Sequence, residues 1–271
     1  MTRRTFVLVA HSLVRMRSVL IGLGAVLAGF QLLLTQVAAY LTRQNAFGAL
    51  SALMPDFVRN LAGPSALAFM SFSGIVSLGY FHPIVLSALM GLTIVVATEP
   101  AAEVEMRFVD LTLARPLNRA ELVSRTIIVL LLSTLAMLGA MFAGTWTGLT
   151  CCTPADAGRP SLALTLSLAV SLGSLMLCWG GVALAFAATV RRRAVAGAIV
   201  GVLAFAEYLV DYLGRAWEPA RGISIVSPFH YFEPMTLVAG DALKTGHVAV
   251  LIGVGLAGTA AAYVVFSRRD I

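Results

Sequence analysis

Residues 99–125 read EPAAEVEMRFVDLTLARPLNRAELVSR, the longest charged segment in a very apolar chain. Glu99, Glu103, Arg107 and Asp110 recur at spacings of four, four and three. On a helix they share one face, and Val104, Phe108 and Leu111 share another. The spacing predicts a short amphipathic helix suited to a membrane surface. Pro116 ends it, and because a residue before proline disfavours the helical region, Arg115 to Leu117 reads as a turn. Asn118 with Glu121 three residues on resembles a capping box, so a new helix is expected near Arg119. That helix runs straight into apolar sequence.

The 271 residues are 59% hydrophobic and 12% charged, with mean hydropathy +0.91. A soluble domain carries about 25% charged residues. A soluble fold of this size has too little interior to hide so much apolar surface, so the composition predicts an integral membrane protein. At roughly 20 residues per span, the length suits one all-α domain of about six transmembrane helices. The expected spans are 18–40, 82–98, 125–149, 161–190, 194–213 and 246–266, with 99–124 as the charged connection between the second and third. Residues 1–17 place Arg4, His11 and Arg15 on one face and Phe6, Val9, Leu13 and Met16 on the other, an interfacial helix leading into the membrane. The N-terminus has no clear small-residue cleavage site and reads as retained. Residues 64–80 are apolar but rich in Gly and Ser. They form a re-entrant or surface helix, or join 82–98 in one long helix kinked at Pro83.

Arginine placement orients the chain. With both termini cytoplasmic and six spans, the inside segments hold Arg3, Arg4, Arg15, Arg17, Arg107, Arg115, Arg119, Arg125, Arg191, Arg192, Arg193, Arg268 and Arg269. The outside segments hold only Arg43, Arg59, Arg159, Arg215, Arg221 and Lys244. This asymmetry follows the positive-inside rule. The net charge of +6 is thereby explained by orientation, with no nucleic-acid footprint needed.

Several residues invite a functional reading. Gln31 and Thr35 lie one turn apart in the first span, either as interhelical hydrogen-bonding groups or as a polar patch on a substrate path. Glu207 and Asp211 lie one turn apart near the outer end of the fifth span. They are either an ion or proton site or interfacial acids paired with Arg215 a turn later. Gly197 and Gly201 have the Gly-x-x-x-Gly spacing that permits close helix approach, within the fold or at a dimer seam. His82 precedes Pro83 as an interfacial histidine, and His230 and His247 are isolated in sequence. Cys151 and Cys152 read as small residues near an interface, and no metal or disulfide pattern emerges. No Ser-His-Asp or His-Glu-x-x-His arrangement is present, and no Gly-x-x-x-x-Gly-Lys phosphate loop. The chain is therefore expected to bind no cofactor or metal and to be no enzyme.

The 99–125 segment resembles the hallmark of permeases of the ABC-2 type of ABC transporter. There a glutamate-rich stretch leads into Gly-Thr, Leu, an acid, Leu-Leu-Leu-Ala, any residue, Pro, two residues and Arg. This chain has Glu103, Glu105, Asp110, Leu111, Leu113, Ala114, Pro116 and Arg119 in matching order. It departs at Arg107 and Phe108, which replace Gly-Thr, and at Thr112, which replaces Leu. Ser227-Pro228-Phe229 is similar to an element common before the last span of these permeases. The ending Phe266 to Asp270 is similar to their frequent C-terminus. The resemblance implies a permease subunit with a cytoplasmic coupling helix, worked by a separate ABC ATPase that holds ATP and Mg. It implies pairing with a second copy or a sister permease, export, and a prokaryotic inner membrane. The coupling residues carried over are Glu103, Arg107, Phe108, Asp110, Leu111, Arg115, Pro116 and Arg119. The alternative is a self-contained secondary transporter or channel using Glu207 and Asp211.

Overall fold

The computed structural model describes residues 3–48, 68–105, 119–154 and 157–268. Among them the structure is all-helical. Six helical stretches are long and apolar enough to cross a membrane: Phe6–Arg43, Phe72–Ala97, Ala120–Cys152, Leu162–Thr189, Arg193–Ala216 and Thr245–Arg268. The elements in order are α1 (Arg3–Arg43), α2 (Phe72–Leu78), α3 (Pro83–Ala97), α4 (Glu99–Glu105), α5 (Arg119–Cys152), α6 (Leu162–Thr189), α7 (Arg193–Ala216), α8 (Arg221–Ser224), α9 (Pro234–Val238) and α10 (Thr245–Arg268). Two short 3-10 helices, Glu218–Ala220 and Pro228–Tyr231, flank α8.

Local chemistry sets most boundaries. Ser161 caps α6, its hydroxyl accepting from Leu164 N at 3.1 Å. His82 caps α3 through Nδ1, 3.3 Å from Ile84 N, with Pro83 in the first turn where its missing N–H costs nothing. The histidine expected at an interface is thus a helix cap, with its ring edge-on to Phe30 at 5.3 Å. The second span is broken, not smooth: α2 ends at Leu78, a turn covers Gly79 to Phe81, and α3 resumes at Pro83. The described part of 64–98 is thus two helices in tandem, interrupted at residues 79–82 just before Pro83.

The first helix differs from expectation. It runs unbroken through Arg17 and Ser18, where an interfacial helix was to give way to a span. Forty-one helical residues extend about 60 Å, twice a hydrocarbon core of about 30 Å. No proline or glycine interrupts 3–21, so the chain has no reason to bend there.

α6 is the central helix. It packs against α3, α5, α7 and α10, and Leu172, Leu175, Cys178 and Ala183 are fully buried. α1 lies along α5, and α10 lies along α6. The second pairing depends on glycine. A Cβ on Gly181 would sit 2.0 Å from Gly255 O, and one on Gly258 would sit 2.6 Å from Gly181 C. In lipid, small residues are what let backbones come this close. Gly197 and Gly201 do not act this way among the described residues. A Cβ on Gly201 would meet nothing within 4 Å, and one on Gly197 only Ile94 Cγ2 at 3.5 Å.

Side-chain contacts show that consecutive spans alternate in direction. Arg15, Glu99, Glu103, Arg125 and Arg193 gather at one end of the bundle. Ser124 at the start of α5 meets Tyr263 near the end of α10, oxygen to oxygen at 2.6 Å. The first part of α1 and the last turns of α10 therefore share an end, as an even number of crossings requires.

Candidate functional site

The glutamate end is built on α4. Thr98 closes α3, its hydroxyl donating to Ile94 O at 2.7 Å, and α4 begins at the next residue. Val104 packs on the core, as the apolar-face reading expects, and Ala101 and Ala102 are buried beside it. The three glutamates then reach three different spans. Glu99, 5% exposed, is ion-paired with Arg15 of α1. Glu103 Oε1 accepts from Arg125 Nη1 of α5 at 2.5 Å. Glu105 Oε2 accepts from the Arg193 backbone N–H at the start of α7, at 3.0 Å. Arg193 also donates from Nη2 to Val95 O at 2.7 Å. A charge taken out of water is tolerated only when paired and hydrogen-bonded. These pairs fix α4 to the bundle.

Glu103, one of the residues read from the sequence for docking, has its Oε1 on Arg125 within the chain and so also positions the helix. Arg107, Phe108, Asp110, Leu111, Arg115 and Pro116 lie outside the described residues. Arg119 is the first residue of α5, where the capping-box spacing puts a helix start. The Glu99–Arg15 and Glu105–Arg193 ties were not read from the sequence. Their spacing of 84 and 88 residues carries no local signal.

Gln31 and Thr35 are both 0% exposed. Thr35 donates to Gln31 O of its own helix at 2.9 Å and packs on Gly148 of α5, where a Cβ would lie 2.7 Å from its Oγ1. The Gln31 amide sits on Gly79 at the break of the second span, and neither amide atom has a hydrogen-bond partner among the described residues. The pair is a packing contact of α1 with its neighbours, not an interhelical hydrogen bond. One turn on, Gln36 Nε2 lies 2.8 Å from Cys152 Sγ.

The opposite end carries the other acids. Asp211, 5% exposed, accepts from Arg215 Nε at 2.8 Å, one turn along α7. Of the two readings for this acid, the geometry has the arginine pair. Arg215 Nη2 further donates to Phe229 O at 3.3 Å and Phe232 O at 3.2 Å. Glu207 contributes its backbone carbonyl, which accepts from Ser227 Oγ at 2.9 Å. His230 and His247, 17 residues apart in sequence, are both brought against Tyr231 in T-shaped contacts, with ring centroids at 5.2 and 5.4 Å. His230 Nδ1 is 3.9 Å from Asp211 and His247 Nδ1 is 3.6 Å from Glu233. Glu233 also binds Lys244 Nζ at 2.8 Å and holds that ammonium charged to a higher pH than usual. Among the described residues no group of three or more His, Cys, Asp or Glu is placed to hold a metal.

Between α3 and α7 lies a groove of about 450 Å³. Its wall is apolar apart from Ser87 and the Tyr208 hydroxyl, with Leu86, Met90 and Ile94 on one side, Ala204 and Phe205 on the other, and Phe229 beside Pro83 and Tyr208. Gly91 and Gly201 help make the space, since a Cβ on either would meet nothing within 4 Å. The volume falls in the range of about 300–1,000 Å³ usual for ligand sites. Sequence reading missed the groove, although one of the two glycines it singled out in α7 lines it.

Fold and composition together define an integral membrane protein that is all-helical among the described residues, six of its helical stretches there being apolar and of membrane-spanning length. Comparison with known proteins takes it no further: no family model matches, and no curated protein or solved structure shows a significant match.

Proposed function

We propose that the chain is the permease subunit of an ATP-driven transporter of the ABC-2 type, worked by a separate cytoplasmic ATPase. The observation that carries this reading is α4. One seven-residue helix is tied by Glu99, Glu103 and Glu105 to three spans, immediately before the segment 106–118 whose residues resemble the coupling hallmark. Energy passed between proteins must enter through an element that contacts both and biases a packed arrangement. A push on 106–118 would reach α1, α5 and α7 through the three glutamates. The ATPase would hold ATP and Mg, since this chain has no phosphate loop.

In this reading the glutamate end and both termini face the cytoplasm of a prokaryotic cell, in keeping with the arginine distribution. A second copy or sister permease completes the path, with the α3–α7 groove as this chain's contribution, and the direction is export. The reading as a self-contained ion or proton transporter gains less support. It needs Asp211 available, and Arg215 pairs with its Oδ2 one turn along α7.

Arg119 tests the coupling role. In the complex reconstituted in vesicles, Arg119→Glu is expected to leave ATP hydrolysis running while cargo movement falls at least tenfold, with the chain still folded. Undiminished coupled transport by Arg119→Glu would refute the role.

A further inference from the structure

The ring of Phe229 stands at one end of the α3–α7 groove, beside Pro83 and Tyr208. It is 6% exposed, edge-on to Tyr208 at 5.5 Å and tilted against Trp179 at 5.9 Å. The ring thus bridges α7 and the central α6 across the end of the groove. Ile94 and Gly201, nearer the glutamate end, line its far part.

What holds the ring there is polar. Phe229 rides on the four-residue 3-10 helix Pro228–Tyr231. Ser227, 0% exposed, accepts from Phe229 N at 3.2 Å and donates to Glu207 O at 2.9 Å. That bond folds the chain back along α7 from its end at Ala216 by about 13 Å, at 1.5 Å per residue. Arg215 then spans the 3-10 helix, reaching the carbonyls of Phe229 and Phe232 with one nitrogen while its Nε is fixed by Asp211. The planar guanidinium suits this multiple contact, and a lysine ammonium would not reproduce it. Phe232, 5% exposed, anchors the far side of the 3-10 helix in the core, whereas Ile223, Ile225 and Val226 just before it are 64%, 52% and 76% exposed.

We propose that Phe229 is a plug that seals this end of the groove against water, and that Arg215 is its latch. Free of the latch, the 3-10 helix loses the two carbonyl bonds from Arg215 and keeps only those of Ser227, and the groove opens to the aqueous side. The assignment needs no ATPase, so it can fail while the permease reading stands, and the converse also holds.

Water access is the direct readout. In a background with Cys151, Cys152 and Cys178 replaced by serine or alanine, Ala204→Cys puts a thiol in the groove one turn before Tyr208, at a position only 5% exposed. Val26→Cys, on an outward-facing part of α1 that is 67% exposed, serves as the control. The protein is reconstituted in nanodiscs and treated with a charged, membrane-impermeant thiosulfonate. Ala204→Cys alone is expected to react slowly. Adding Phe229→Ala or Arg215→Gln should raise its rate at least tenfold, with Arg215→Lys giving little rescue and the control unchanged. Phe229→Ala removes the ring without touching the latch, so it decides the plug even where Arg215→Gln fails to fold. Equal rates with and without Phe229, a fast rate in the parent, or a parallel rise at the control would each overturn the proposal.

Discussion

Glu103→Ala is expected to destabilise the protein by roughly 3–5 kcal/mol, the usual effect of removing one partner of a buried ion pair. Arg125 is 5% exposed, and its Nη1 is held by Glu103 at 2.5 Å. Its Nη2 already lacks a hydrogen-bond partner among the described residues. Without Glu103 the guanidinium is left buried with no counter-charge at the junction of α4 and α5. Most of the loss comes from that stranded charge, not from the attraction itself. The double variant Glu103→Ala/Arg125→Met should therefore recover much of the stability, and Glu103→Gln should fall between. Denaturation in mild detergent of the parent, Glu103→Ala, Arg125→Met and the double variant gives the double-mutant cycle. A loss below about 1 kcal/mol, with no coupling in the cycle, would mean that α4 is not fixed to the bundle in this way.

Gly181→Ala is the second large effect. Even a methyl group there would lie 2.0 Å from Gly255 O and 2.7 Å from Gly255 Cα. Both are backbone atoms, so no rotamer change relieves the overlap and α6 must separate from α10. Overpacking of this kind costs about 1–3 kcal/mol and occasionally more, and we expect the upper end because this is one of the two most extensive helix pairings. Gly201→Ala is the matched comparison. Its Cβ meets nothing within 4 Å, and replacing a mid-helix glycine gains about 0.5–1 kcal/mol in backbone terms. The two alanine variants should therefore shift thermal unfolding in opposite directions. Loss of stability in Gly201→Ala comparable to that in Gly181→Ala would place a tight helix contact where the structure has open space.

That pair of glycines also shows where sequence stops being informative. The spacing of Gly197 and Gly201 says that a helix can come close, but not whether one does. Gly181, Gly255 and Gly258 make the close approach across two spans, and only the packing of α6 on α10 brings them together. The spans themselves were legible because each apolar run is bounded by local chemistry: Pro83 in the first turn of α3, Ser161 at the cap of α6, Arg193 opening α7. The join between an interfacial helix and the first span was not legible as placed. Alternating faces over 1–17 and uniform apolarity after it are both compatible with one continuous helix. Asp211 and Arg215, four residues apart, could be paired from spacing alone. His230 and His247 could not, because it is the fold of 217–244 that sets them around Tyr231. The glutamate-rich stretch was singled out for its pattern, but pattern did not reveal that Glu99, Glu103 and Glu105 bond to Arg15, Arg125 and Arg193 of three different spans.

The most direct test of the account places a photo-crosslinking amino acid at Leu111 or Arg115 in the native membrane and identifies what it captures. The account predicts a cytoplasmic subunit carrying a phosphate loop, captured at these positions and not at Tyr212 on the opposite end of the bundle. Capture of no such subunit, together with labelling of 106–118 by an impermeant reagent applied from outside the cell, would contradict it.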